Sequence, residues 1–217
     1  MFCIILSSVN ICLSLLLRYI ALVVHGGGDD PAAGIALTAG YGKIVPSSQM
    51  ERNFDMDITF APLSQEHAEG VMRIFNYYVE NGTAAFPGKA LPVPFFEMFL
   101  KKSEGYPAYA LLNGEHVVGF CQLSAYNPFS SFTDAACLTY FIDPACTGKG
   151  LGSQCLARLE AEAKERGICH LVAEVSSENE GSLSFHKQHG FSLVGELPEI
   201  GSKFGRRFGI CYLQKTI

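Results

Sequence analysis

Thr147-Gly148-Lys149-Gly150-Leu151-Gly152 lies between an apolar stretch, Leu138–Ile142, closed by Asp143-Pro144, and a long amphipathic segment, Leu151–Arg166. The apolar stretch reads as a strand. The amphipathic segment keeps Leu151, Cys155, Leu156, Leu159 and Ala163 on one side and stops at Gly167, the pattern of a helix laid on a sheet. A glycine-rich turn between a strand and a helix N-terminus suits a phosphate. The first helical N–H groups have no intrahelical acceptors. The helix dipole adds partial positive charge, and glycines let the ligand approach the backbone. Lys149 adds a point charge.

Spacing narrows the choice of phosphate. A P-loop requires G-x-x-x-x-G-K-[ST], which this turn does not provide. A dinucleotide fingerprint requires G-x-G-x-x-G, but Ser153 stands at the third glycine position. No acidic residue closes the next strand, and the strands before the turn are joined by a hairpin rather than a crossover helix. Nucleotide cofactors are therefore excluded.

Upstream of the turn, Asp57–Pro62 alternates like a strand, and Ser64 is placed to cap a helix running to about Glu80. Pro94–Lys102 reads as a short helix. Tyr109–Leu112 and Val117–Ser124 are strands joined through Asn113-Gly114, a hairpin signal. Downstream, Leu171–Val175 is a strand, Glu180–His189 a helix, and Phe191–Leu197 and Arg207–Gln214 two more strands. The order β-α-α-β-β-β-α-β-α-β-β predicts a mixed α/β sheet, antiparallel early, with one strand–helix–strand crossover.

Residues 1–55 read differently. Ile11–Val24 has the hydropathy of a signal core or short membrane span, but no basic residue precedes it and Arg18 interrupts it. Residues 25–55 have linker composition, and Met50 and Met56 precede the first strand. Two readings stand: an anchored enzyme, with membrane contact only if residues 1–24 are an anchor, or an over-long gene start. The second is favoured because a full set of sheet elements follows. The expected organisation is a leader and linker over 1–55 and one folded domain over 56–217.

Apolar residues make up 48% of the chain and charged ones 17%, enough for a packed core. The net charge of −5 argues against a general nucleic-acid binder. None of the eight cysteines forms a C-x-x-C pair or a zinc-type cluster. They read as reduced thiols of a cytoplasmic protein without a metal.

Tyr140-Phe141-Ile142-Asp143-Pro144 followed by Thr147–Gly152 resembles motif A of the GNAT superfamily of acyl-CoA-dependent N-acyltransferases. Asn179–His186 and His189-Gly190-Phe191 resemble its next segment. Gly195, Gly201 and Lys203–Arg206 resemble the end of its phosphinothricin/methionine-sulfoximine acetyltransferase branch. The resemblance covers about residues 56–217. It implies an α/β (α+β) fold: a mixed, mostly antiparallel sheet with a splayed central strand and helices on both faces. It also implies acetyl-CoA as co-substrate, a small amine as acceptor, and a homodimer.

Carried over by position, Phe141 and Ile142 would pair with the pantetheine arm. Thr147, Gly148, Lys149, Gly150, Leu151, Gly152 and Ser153 would hold the pyrophosphate, with Asn179 and Ser182 beside the coenzyme arm. Asn179 also suits a helix cap. Thr83 and Phe86 resemble a T-x-x-x-F pattern of the acceptor loop, and Lys203 or Arg206 would meet a substrate carboxylate. Direct attack by an amine requires removal of a proton and a donor for the oxyanion. The branch's usual glutamate falls at Cys137, a poor substitute because a thiol with a reference pKa of about 8.5 is mostly protonated near neutral pH. Thr147 replaces a common Arg or Gln, and Arg207 stands where the branch often has Trp. The remaining candidates for the base are His186, in a matching S-x-x-x-H segment, and Glu174, with Tyr140 and Tyr126 behind them. The missing glutamate also leaves open an acyl-CoA-binding module without efficient turnover, and a protein or polyamine acceptor differs only in the amine.

Overall fold

The structure is a computed structural model and describes residues 57–217; the expected leader and linker lie outside the described residues. Seven strands and four α-helices alternate along the chain: β1 Ile58–Pro62, α1 Ala68–Asn81, α2 Phe96–Lys102, β2 Ala108–Asn113, β3 His116–Ala125, β4 Ala135–Ile142, α3 Leu151–Glu165, β5 His170–Ser176, α4 Glu180–Gln188, β6 Ser192–Lys203 and β7 Arg206–Thr216. The expected order is reproduced, with the last two strands longer than their hydrophobic pattern implied. Ser64 caps a single 3₁₀ turn ahead of α1, and His67 completes its capping box. A second such turn, Val93–Phe95, leads into α2.

The sheet order is β1-β2-β3-β4-β5-β7-β6. All neighbours are antiparallel except β4 and β5, which α3 joins by the predicted crossover. Alternation along the strands sends successive side chains to opposite faces. Phe120 and Phe141 are paired across β3 and β4 and stack at 5.6 Å. They meet Phe99 of α2 and Phe75 of α1 on one face. Their neighbours Cys121 and Tyr140 turn to the other face, where Tyr140 meets Phe185 of α4. Helices thus cover both faces.

The aromatic layer is the rigid base on which β4 rests. Phe120 is fully buried, and removing its ring strands Phe99 and Phe141 around a cavity. Phe120→Ala is expected to lower stability by about 3–5 kcal/mol, read as a shift of the urea midpoint at unchanged slope.

The feature that positions the site is a fork. β4 and β5 pair only at Ala135–His170, Ala136–Leu171 and Cys137–Val172. β5 stays paired with β7 as far as Ser176, so β4 and β5 part beyond Cys137.

Candidate active site

β4 carries its peptide groups alternately toward β3 and toward the fork. Asp143 N–H bonds Val118 O at 2.8 Å, which sets the phase: Phe141 points its peptide groups at β3, and Tyr140 and Ile142 point theirs into the fork. The expectation for Ile142 fits this arrangement. Phe141 departs from it, because its N–H and C=O belong to the β3 ladder and its ring to the aromatic layer. Tyr140 is the neighbour whose peptide groups face the fork instead. The Ile142 carbonyl already accepts the Tyr78 hydroxyl at 2.6 Å, leaving the Ile142 N–H for a ligand.

Above the fork, Asp143 fixes the turn. Its carboxylate accepts from Ala145 N–H and pairs with Arg73 of α1 at 2.7 Å. Gly148 and Gly150 adopt φ of 73° and 79°, left-handed values that other residues reach only with strain. The amides of residues 148–153 have no acceptor among the described residues, and no side chain caps α3. Unsatisfied donors in a row on an exposed glycine turn at a helix N-terminus fit a pyrophosphate. The open strand edge below fits an extended amide-bearing arm. The residues present therefore match the requirements of acetyl-CoA.

Ser153 and α4 are tied together. The Ser153 hydroxyl meets His189 Nε2 at 2.9 Å, and His189 Nδ1 meets Phe185 O at 2.8 Å. Asn179 does cap α4, accepting from Ser182 N–H at 3.1 Å.

His186 is buried rather than open to an amine. Its Nδ1 lies 2.7 Å from Ser182 O, an acceptor only, so that nitrogen carries the proton. Nε2 then accepts the Tyr140 hydroxyl at 2.8 Å. Both ring nitrogens are occupied, and the imidazole holds Tyr140 in place. Burial moves its pKa below the usual histidine value and moves that of Tyr140 upward. A folded-state pKa below the unfolded one means that the unfolded chain binds the extra proton. Stability is therefore lost as pH falls through about 6.5 and below. Urea unfolding of His186→Gln between about pH 7.5 and 5, the range that brackets that titration, is expected to show a shallower pH dependence than wild type; an equal slope refutes the assignment.

On the opposite face, Cys137 and Glu174 flank the start of the fork. The Cys137 thiol is pushed up to about 11, by burial first and by Glu174 next. Glu174 is raised above the usual carboxylate range by burial, partly offset by Lys102 of α2. Tyr212, opposite Glu174 on β7, is raised by burial and then by Glu174, Tyr126 and Cys137. These groups form one electrostatic cluster around a single carboxylate. Lys102 and Tyr212 were absent from the sequence reading, since only cross-strand register and helix packing bring them here.

The acceptor-loop candidates come together, but largely to bind one another. Lys203 is buried and donates to Gly82 O at 2.8 Å and Ala85 O at 2.7 Å. Thr83 bridges Ser176 and Glu178, and Arg206 makes two 2.9 Å bonds to Glu178. Lys203 is therefore corrected from a free carboxylate ligand to a clamp on the 82–85 loop, because its charge is spent on backbone carbonyls. Arg206 is likewise neutralised by Glu178. Phe86 stays half-exposed and stacks on Phe208.

The sequence pattern of the Acetyltransferase (GNAT) family matches residues 71–191, more than half of the chain and spanning both the fork and the turn. The chain belongs to the GNAT acetyltransferase family. An L-methionine sulfoximine/L-methionine sulfone acetyltransferase of Pseudomonas aeruginosa is 28% identical over 151 residues, 68% of this chain and 88% of that protein. The L-amino acid N-acyltransferase MnaT of Escherichia coli is 32% identical over 110 residues, 51% of this chain and 64% of its own length. Among solved structures, a putative acetyltransferase from Salmonella typhimurium, determined with its cofactor acetyl-CoA, superposes with a TM-score of 0.67 at 25% identity, covering 73% of this chain and 93% of that one. A ribosomal-protein-alanine N-acetyltransferase from Brucella melitensis superposes at 0.68 and 26% identity, covering 73% and 99%. This GNAT chain is accordingly an N-acetyltransferase. Among the described residues there is no group of side chains able to hold a metal ion, and no helix long and apolar enough to cross a membrane.

Proposed function

We propose that the chain acetylates the amine of a small, amino-acid-like acceptor, of the methionine sulfoximine or phosphinothricin type, with Glu174 as the proton acceptor. The observation that carries this reading is the half-buried Glu174 at the mouth of the fork, where the branch's usual carboxylate position holds a neutral thiol. Acetyl-CoA supplies the acetyl group as a thioester, whose carbonyl carbon gains the N–C bond as its C–S bond breaks and coenzyme A leaves as the thiol. The turn amides of residues 148–153 hold the pyrophosphate. The fork-facing N–H groups of Tyr140 and Ile142 hold the arm and donate to the oxygen on which charge develops. An acceptor amine is largely protonated near neutral pH. Glu174, its pKa raised by burial, takes that proton directly or through one water. His186 keeps Tyr140, and with it the open edge of β4, in register.

Among the described residues, Lys102 is the cation that acts on both Glu174 and Cys137, and it makes no salt bridge, which suits it to an acceptor carboxylate. Pairing of two copies through the edge strand β6 is supported by its exposed Leu193, Val194, Leu197 and Ile200. A cytoplasmic location is supported by the six free cysteines among the described residues. The division into a leader and linker (1–55) and a catalytic domain (56–217) is supported by the sheet starting at Ile58; mass spectrometry of the native N-terminus tests it. Thermal-shift titration with acetyl-CoA, followed by a thiol-release assay over an amine panel, tests the activity. Stabilisation without turnover of any amine would favour an acyl-CoA-binding module, and no stabilisation at all would remove both readings.

A further inference from the structure

α1 and α2 cover one face of the sheet as far as β4. Beyond β4, the same face carries a groove of about 440 Å³. Its walls are Tyr126 and Phe132 of the β3–β4 connection, Val172 of β5, Tyr212 of β7 and Val194 of β6. Gln214 and His170, 3.3 Å apart, also line it. The volume lies within the range of small-molecule sites, which are mostly apolar with a few convergent polar groups.

The groove does not stand apart from the reacting centre. Val172 is the β5 partner of Cys137 at the last rung before the fork, and Tyr212 is the cross-strand partner of Glu174. Strand alternation puts Val172, Glu174 and Ser176 on the same face of β5. A ligand whose amine reaches Glu174 therefore has two directions available on this face. Toward Ser176 the space is roofed by the Thr83–Glu178–Arg206 bonds. Toward Val172 it opens into the groove.

Resting on the acetyltransferase reading with Glu174 as base, we propose that this groove receives the acceptor's side chain and selects α-amines bearing a large one, of methionine length or aromatic, over a small one. Three rings, Tyr126, Phe132 and Tyr212, line it, and rings of this kind favour aromatic faces and polarisable sulfur. A short side chain leaves those rings uncovered.

The chain contains no tryptophan, so Phe132→Trp places its one tryptophan in the groove, where it can be excited selectively. Titration of that variant with phenylalaninamide and with methioninamide is expected to give a saturable emission change, and alaninamide none at the same concentrations. In parallel, Val172→Phe narrows the groove and is expected to lower the ratio of kcat/KM for phenylalanine over alanine at least tenfold. A folding defect would lower both and leave the ratio unchanged. Turnover of amines with large side chains, with no emission change in the Phe132→Trp variant and an unmoved ratio, overturns the groove while the acetyltransferase reading stands. Saturable emission changes without thiol release from any amine keep the groove and remove the catalytic reading.

Discussion

Glu174→Gln is expected to lower kcat for amine acetylation by about 10²- to 10³-fold, the usual contribution of a positioned base, with the Kd for acetyl-CoA within about twofold of wild type. Glutamine keeps the volume and a carbonyl acceptor but cannot take a proton. The carboxylate sits at the fork while the turn amides lie above it on a different element, so the two functions separate. The pH profile gives a second reading. A base acts when deprotonated, so the wild-type rate rises with pH through the Glu174 pKa, which burial places above the ordinary carboxylate range. That rising limb should vanish in Glu174→Gln. Cys137→Ser is the control. With its pKa pushed up to about 11, roughly one thiol in 10⁴ is ionised at pH 7, and little activity should be lost. Full kcat in Glu174→Gln, or an equal loss in Cys137→Ser, would sink the assignment of the base.

Gly150→Val is expected to raise the Kd for acetyl-CoA at least tenfold, measured calorimetrically. Gly150 holds φ of 79°, and a side chain there costs about 1–2 kcal/mol, more for a β-branched one. No atom lies within 4 Å of a Cβ built at this position, so the cost comes from the backbone rather than from collision. Relief of that strain rotates the peptide planes that aim the amides of residues 148–153. Lys149→Ala should weaken binding less, since an exposed point charge contributes about 0–1 kcal/mol. Unchanged affinity in Gly150→Val would place the phosphate elsewhere.

The glycine-rich turn was legible in the sequence because its determinants are local. Glycines two apart, a strand ending in Asp143-Pro144 and an amphipathic helix from Leu151 together specify a helix N-terminus with unsatisfied amides. On the strand before it, Phe141 was the exception. Its role as an arm-facing residue failed because which of two adjacent residues faces β3 depends on the phase of pairing, and that is set by the bond from Asp143 to Val118 on the neighbouring strand. The acceptor half was much less legible. Thr83, Lys203 and Arg206 were recognised as residues of one region, but whether a cation is free or spent depends on its partners. Glu178 and the Gly82 and Ala85 carbonyls arrive from distant segments.

By itself, then, the sequence determined the order of elements, the crossover between β4 and β5, the glycine-rich turn at the N-terminus of α3 and the family. These follow from hydrophobic period, turn chemistry and the spacing of glycines, all properties of neighbouring residues. Only the tertiary structure decided the surroundings of each titratable group. It buried His186 and fixed its tautomer through Ser182 and Tyr140. It left Cys137 protonated, and it set Glu174 beside Lys102 and Tyr212 at the fork. The physical reason is that proton affinity and charge pairing depend on desolvation and on groups within a few ångströms, and those neighbours are chosen by sheet register and helix packing.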